Sequence, residues 1–175
     1  MDVWKIQFLG APCAFRGGLQ AHLRSRETWG VLASLILPSV HRDVSPGVIA
    51  RETLSERFWS STEPADPRAH LRQCLTSLRA AFGEECLIAN RDEVRIASGW
   101  CTTDVDIAFG AYRKGLAATT LEERLHWLTL AEEEIGGEFF EGWMPDNEDA
   151  QIWMIHLRAD IRSHVVSLLR SEELV

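Results

Sequence analysis

The segment from Pro67 to Phe82 constrains this chain more than any other. Asp66-Pro67 opens it with a side chain able to cap a helix. The proline follows at the first helical position, where its missing N–H costs nothing. Gly83 is a fitting stop. Between them, at about 100° per residue, Leu71, Cys74, Leu75, Leu78, Ala81 and Phe82 gather on one side. The opposite side carries Arg72, Gln73, Thr76, Ser77 and Ala80, with Arg68 and Arg79 along one edge. The segment holds three arginines and no acid, whereas a solvated helix ordinarily mixes signs. The pattern predicts a helix that rests on a core and offers a polar, acid-free face to a partner.

The flanking segments narrow the architecture. Val3 to Leu9, Cys13 to Phe15 and Leu19 to Leu23 read as three short strands, the last two joined at Gly17-Gly18. A helix is expected from Arg26 or Glu27 through Ile36, stopped by Pro38. Ser45-Pro46 repeats the cap-and-proline signature and predicts a second helix from Pro46 to Leu54, passing into Phe58-Trp59. After the third helix, Cys86–Ala89 and Val94–Ala97 flank Asn90-Arg91-Asp92-Glu93 in a hairpin pattern. Three strands, three helices and a hairpin make the layout of an α+β winged helix-turn-helix, with the hairpin as its wing.

From Thr102 the chain turns acidic and helical. Helices are expected over Asp104–Leu116, Leu121–Ile135 and about Asn147–Glu172, the second with a Thr120-x-x-Glu123 capping box. A helix hairpin followed by a longer helix suggests an all-α, helical-repeat (TPR-like) module, read here as incomplete. The predicted division is therefore 1–100 and 101–175. Charge supports it: residues 1–100 carry 12 Lys+Arg against 11 Asp+Glu, residues 101–175 only 6 against 15. Eleven of the first half's cations are Arg, whose planar fork of donors suits phosphates and guanine edges. A half at net −9 would repel phosphates. It is expected to pack away from the third helix, against the first strands and the Trp100 junction.

Several classes are disfavoured. No apolar run approaches the ~18–20 residues of a membrane span, and the N-terminus lacks a basic and apolar leader. The four cysteines form no C-x-x-C pair, which fits reduced thiols in a cytoplasmic protein. His70 and Cys74 stand four apart, but no second ligand pair accompanies them, so no metal is expected. Glu132-Glu133-Glu134 are consecutive and cannot face one another on a helix. Nucleophile-elbow, P-loop and dinucleotide motifs are missing, so no enzyme and no cofactor is expected.

The ordered motifs also resemble a known family. Leu78-Arg79-Ala80-Ala81-Phe82-Gly83 is similar to the end of the recognition helix in response-regulator-type winged helices, and Ile49–Leu54 with Phe58-Trp59 resembles their second helix. Thr103–Phe109 resembles the junction that, in Streptomyces antibiotic regulatory proteins, leads into the bacterial transcriptional activation domain. Gly137-Glu138-Phe139-Phe140-Glu141-Gly142-Trp143, then Trp153 and Arg158, resembles a segment of that domain. The resemblance implies a sequence-specific DNA-binding activator whose helical half, here its first three helices, contacts RNA polymerase or another protein. A homodimer on direct repeats is compatible with it.

On this reading Arg72, Gln73, Thr76 and Ser77 meet base edges, while Arg68, Arg79, Arg91, Arg95 and Ser45 meet the backbone of double-stranded DNA. Three departures stand out. Ser77 replaces a usual arginine, Ala80 an often basic residue, and Asp92-Glu93-Val94 a wing with a Gly-rich tip and a tyrosine. They motivate an alternative: a protein-interaction module built on a winged helix that no longer binds DNA.

Overall fold

The computed structural model describes residues 3–37, 47–60 and 66–172, with side chains through residue 163. The N-terminal strands β1 (Trp4–Gln7), β2 (Cys13–Arg16) and β3 (Leu19–Ala21) form an antiparallel meander. Helix α1 (Arg26–Ile36) follows, capped by Ser25, whose Oγ accepts from the Thr28 N–H. Nine of its residues are buried, and one must be glycine. A Cβ at Gly30 would lie 2.7 Å from Phe58 and 2.9 Å from Trp143, so α1 is approached closely from two sides.

Here the structure corrects the expected second helix. Ile49–Ala50 is a short strand, β4, and α2 spans Arg51–Trp59. Ser45 and Pro46 lie outside the described residues. The third helix, α3 (Pro67–Phe82), has both expected ends: the Asp66 carboxylate accepts from the Ala69 N–H at 3.0 Å, and Gly83 turns the chain at φ +101°. A 3-10 turn at Glu84–Cys86 leads into β5 (Leu87–Ala89) and β6 (Glu93–Ile96). These pair antiparallel, and β4 joins as the third strand through Ile49 opposite Val94.

A second strand is likewise not expected from the sequence. Cys101–Thr103 forms β7 and pairs parallel to β1, making a four-stranded sheet of order β3-β2-β1-β7. The chain passes straight from it into α4 (Asp104–Ala117), capped by Thr103. Helix α5 (Leu121–Glu134), capped by Thr120, returns against α4, with Ala111 packed on Leu128 and Ala131. Helix α6 (Glu148–Glu172) reaches back to α2, where Trp153 meets Phe58 edge-on at 5.8 Å.

The acidic half thus meets β1 as expected, but also α1 and α2. Two polar devices secure it. The Asp104 carboxylate accepts the Phe8 and Leu9 N–H groups at 2.7–3.0 Å. Beyond them, Gly10 N–H donates to Glu138 O, and Phe140 N–H and Glu141 N–H donate to Phe8 O and Gly10 O. The 138–143 turn is clamped in turn by Arg158, whose guanidinium donates to the carbonyls of Phe139, Phe140 and Trp143 at 2.7–2.9 Å. That clamp holds Phe140 at φ +52°, a left-handed conformation rare for a bulky residue. The Gly137–Trp143 motif and Arg158 therefore act as one docking device. A single core runs through it from Trp4, Phe8 and Leu32 to Phe139, Met154 and Ile161.

Candidate nucleic-acid interface

Helix α3 is set by what its inner side touches. Leu71, Cys74, Leu75, Leu78 and Phe82 are buried, matching the apolar stripe read from the sequence. Phe82 anchors the C-terminal end among three indoles, edge-on to Trp4 at 5.0 Å, Trp100 at 5.1 Å and Trp29 at 6.5 Å. At mid-helix the Thr28 hydroxyl donates to Cys74 Sγ at 3.3 Å, and burial pushes that thiol's pKa up. His70 instead stacks on Trp59 at 5.8 Å. The two side chains considered as a ligand pair have separate partners.

With that rotation, Arg68, Arg72, Gln73, Thr76, Ser77 and Ala80 are all exposed. Arg72, Gln73, Thr76 and Ser77 fall at positions i, i+1, i+4 and i+5, one continuous strip of the helix. Thr76 Oγ donates to the Arg72 carbonyl at 2.9 Å, which leaves its oxygen lone pairs outward. Arg79 is half-buried at the edge of the strip, as its position in the helical pattern indicated.

The hairpin brings further cations. Asn90 Oδ1 accepts from the N–H groups of Asp92 and Glu93 at 2.8 Å, which folds the loop tightly. Arg91 is exposed on that loop and Arg95 is half-buried on β6 opposite Ile88. Neither makes an ion pair among the described residues.

Arg51 escaped the sequence reading. Placed mid-helix there, it is in fact the first residue of α2, and the hairpin loop holds it: its N–H donates to Asp92 O at 2.8 Å and its guanidinium to Asn90 O at 3.0 Å. Arg51, Arg68, Arg72 and Arg91 together line a cleft of about 600 Å³ between α2, α3 and the hairpin, shared with Glu52, Asp66 and Asp92. Among the described residues, none beyond 100 lines it. Of the nine residues read from the sequence, the structure brings Arg68, Arg72 and Arg91 to this cleft. Gln73, Thr76, Ser77 and Arg79 lie further along α3, and Arg95 lies on the hairpin strand. Ser45 lies outside the described residues.

No family model matches the chain, and no curated protein matches it in sequence. Among solved structures, EmbR of Mycobacterium tuberculosis, in complex with a low-affinity phosphopeptide, matches 99% of this chain with a TM-score of 0.68 and 17% identity. The two share a fold. The match covers 44% of the EmbR chain, so this chain spans less than half of EmbR's length. Among the described residues, no helix is long and apolar enough to cross a membrane.

Proposed function

We propose that this chain is a sequence-specific, double-stranded-DNA-binding transcription regulator of the Streptomyces antibiotic regulatory type. The observation that carries the reading is the outer strip of α3, exposed, acid-free and continuous with a cleft lined by four arginines. In the winged-helix reading, α3 enters the major groove and the 87–96 hairpin is the wing. Arg72, Gln73, Thr76 and Ser77 read base edges. Arg68, Arg79, Arg91 and Arg95, joined now by Arg51, meet phosphates. The sequence resemblance and the fold shared with EmbR support the same reading. The acidic helices, a TPR-like module in this view, take a protein partner such as RNA polymerase, and the protein works in the cytoplasm as an activator rather than an enzyme.

The other reading, a protein-interaction module without DNA affinity, draws support from one feature: each α3 arginine is paired with a carboxylate. Titration of random duplex DNA across ionic strengths separates the two. A DNA-binding protein shows a log affinity that falls linearly with log salt, with a slope set by the phosphates it neutralises. Absence of binding even at low salt favours the interaction module.

The assigned roles predict different mutant behaviour. Arg72→Ala is expected to lower the preference for a site selected from a random pool over random DNA by about 1–3 kcal/mol. Arg79→Ala is expected to weaken binding to all sequences about equally and to reduce the salt slope by about one. Identical scaling of selected-site and random binding in both variants would refute this partition.

A further inference from the structure

We infer that Glu52, Asp66 and Glu84 are built-in competitors of DNA for the three arginines of α3, which hold down the affinity of the helix for random sequence. The inference rests on the DNA-binding reading above. Its basis is the distribution of acids around the helix. Within residues 67–82 there are none, yet every arginine of α3 has one brought to it from a flanking element. Arg68 meets Glu52 in the first turn of α2 at 3.5 Å. Arg72 meets the capping Asp66 at 3.6 Å. Arg79 meets Glu84, in the turn after the helix, at 3.4 Å. The hairpin arginines, Arg91 and Arg95, have no ion pair among the described residues. The acids are thus matched to the helix that would enter the groove and not to the hairpin beside it.

The pairs are too exposed to serve mainly as braces. The three carboxylate side chains are 68%, 63% and 88% accessible, and such surface pairs contribute little to folding. Being weak and wet, they open easily. A phosphate oxygen is a chemical analogue of the carboxylate oxygen it would displace, and both bind a guanidinium through charge-assisted hydrogen bonds. Each arginine therefore reaches DNA only by giving up an acid that remains nearby and repels the incoming phosphate. Non-specific binding is almost wholly electrostatic, so it bears the full cost of this competition. The hairpin arginines remain free to steer the first encounter.

The test uses the full chain, random-sequence duplex DNA and the triple variant Glu52→Gln/Asp66→Asn/Glu84→Gln. Asn keeps the helix cap at position 66, because its side-chain oxygen can still accept the Ala69 N–H. A charge-matched control, Glu122→Gln/Glu123→Gln/Glu132→Gln, alters exposed acids of α5 and reports the effect of net charge alone. The triple variant is expected to bind random duplex roughly tenfold more tightly at low salt, with a steeper salt slope, while the control stays close to wild type. Equal affinity and slope for wild type and triple variant, or equal gains in variant and control, overturn the inference and leave the DNA-binding reading standing. Failure of wild type and triple variant alike to bind at low salt overturns both. Binding by the triple variant alone supports the inference that the acids compete with DNA, while the wild type's failure to bind counts against the DNA-binding reading.

Discussion

Phe82→Ala should destabilise the protein by about 3–5 kcal/mol, the range for removing a fully buried aromatic side chain. The ring is 1% exposed and is the shared neighbour of Trp4, Trp29 and Trp100, which meet it edge-on. Its loss removes both apolar transfer energy and the edge-to-face contacts, and the three bulky indoles cannot easily close the space left behind. Because Phe82 is the last residue of α3, the same change frees the C-terminal end of the helix that carries the candidate interface. Random-duplex affinity should therefore fall even where the variant remains folded. Phe82→Leu, which keeps most of the volume, should cost well under half as much. Urea denaturation of the three proteins measures this, and a loss below about 1 kcal/mol for the alanine would show that the aromatic cluster is not what anchors α3.

Asp104→Ala should cost about 2–4 kcal/mol at neutral pH, because it leaves the buried Phe8 and Leu9 N–H groups without their acceptor. The carboxylate is 6% exposed, and burial raises its pKa above the usual range. The N–H groups of Leu9, Phe8 and Val105 oppose that rise, while nearby Glu134 adds to it. A raised folded-state pKa means that the folded protein binds a proton which the unfolded chain has already released. The stability linked to that proton is fully present below the unfolded pKa and is lost as pH rises through the raised folded value. Asp106 shifts in the same direction, but its residue is exposed to solvent, which screens the effect, so its contribution to the trend is small. Asp104→Asn, which cannot titrate, should flatten the pH dependence across that acidic window. Its loss of stability at neutral pH should be smaller than that of the alanine, since one acceptor oxygen remains. Melts of wild type and both variants across the acidic range check this. An unchanged profile in Asp104→Asn would show that Asp104 does not titrate there.

Much of the candidate site was legible because helical information is local. The cap at Asp66, the proline after it, the stop at Gly83 and the 3.6-residue recurrence of Leu71, Cys74, Leu75, Leu78 and Phe82 all lie within one short stretch. Together they specify the helix and its exposed strip before any tertiary contact is known. The hairpin was readable for the same reason, with Asn90 supplying the turn chemistry and β-formers on either side. The two strands that escaped are of the opposite kind. Ile49–Ala50 and Cys101–Thr103 are too short to show an alternation, and each becomes a strand only by pairing with residues distant in sequence, β6 and β1.

The amino-acid sequence by itself determined the helices, their apolar faces, the hairpin and the change to an acidic second half, because caps, breakers and periodicity act over one or two turns. Only the tertiary structure decided how those parts meet. It started α2 at Arg51 and set that residue beside the hairpin, where the local pattern indicated mid-helix. It joined the halves through Asp104 and the 138–141 turn, which Arg158 clamps, by contacts that reach from Phe8 to residues 96 and 132 positions away in the chain. It also gave each α3 arginine its own carboxylate. Charge composition counts such groups but cannot pair them. Which cation faces which anion depends on distances of 3–4 Å, and those exist only once α2, α3 and the turn after it have packed around a common core.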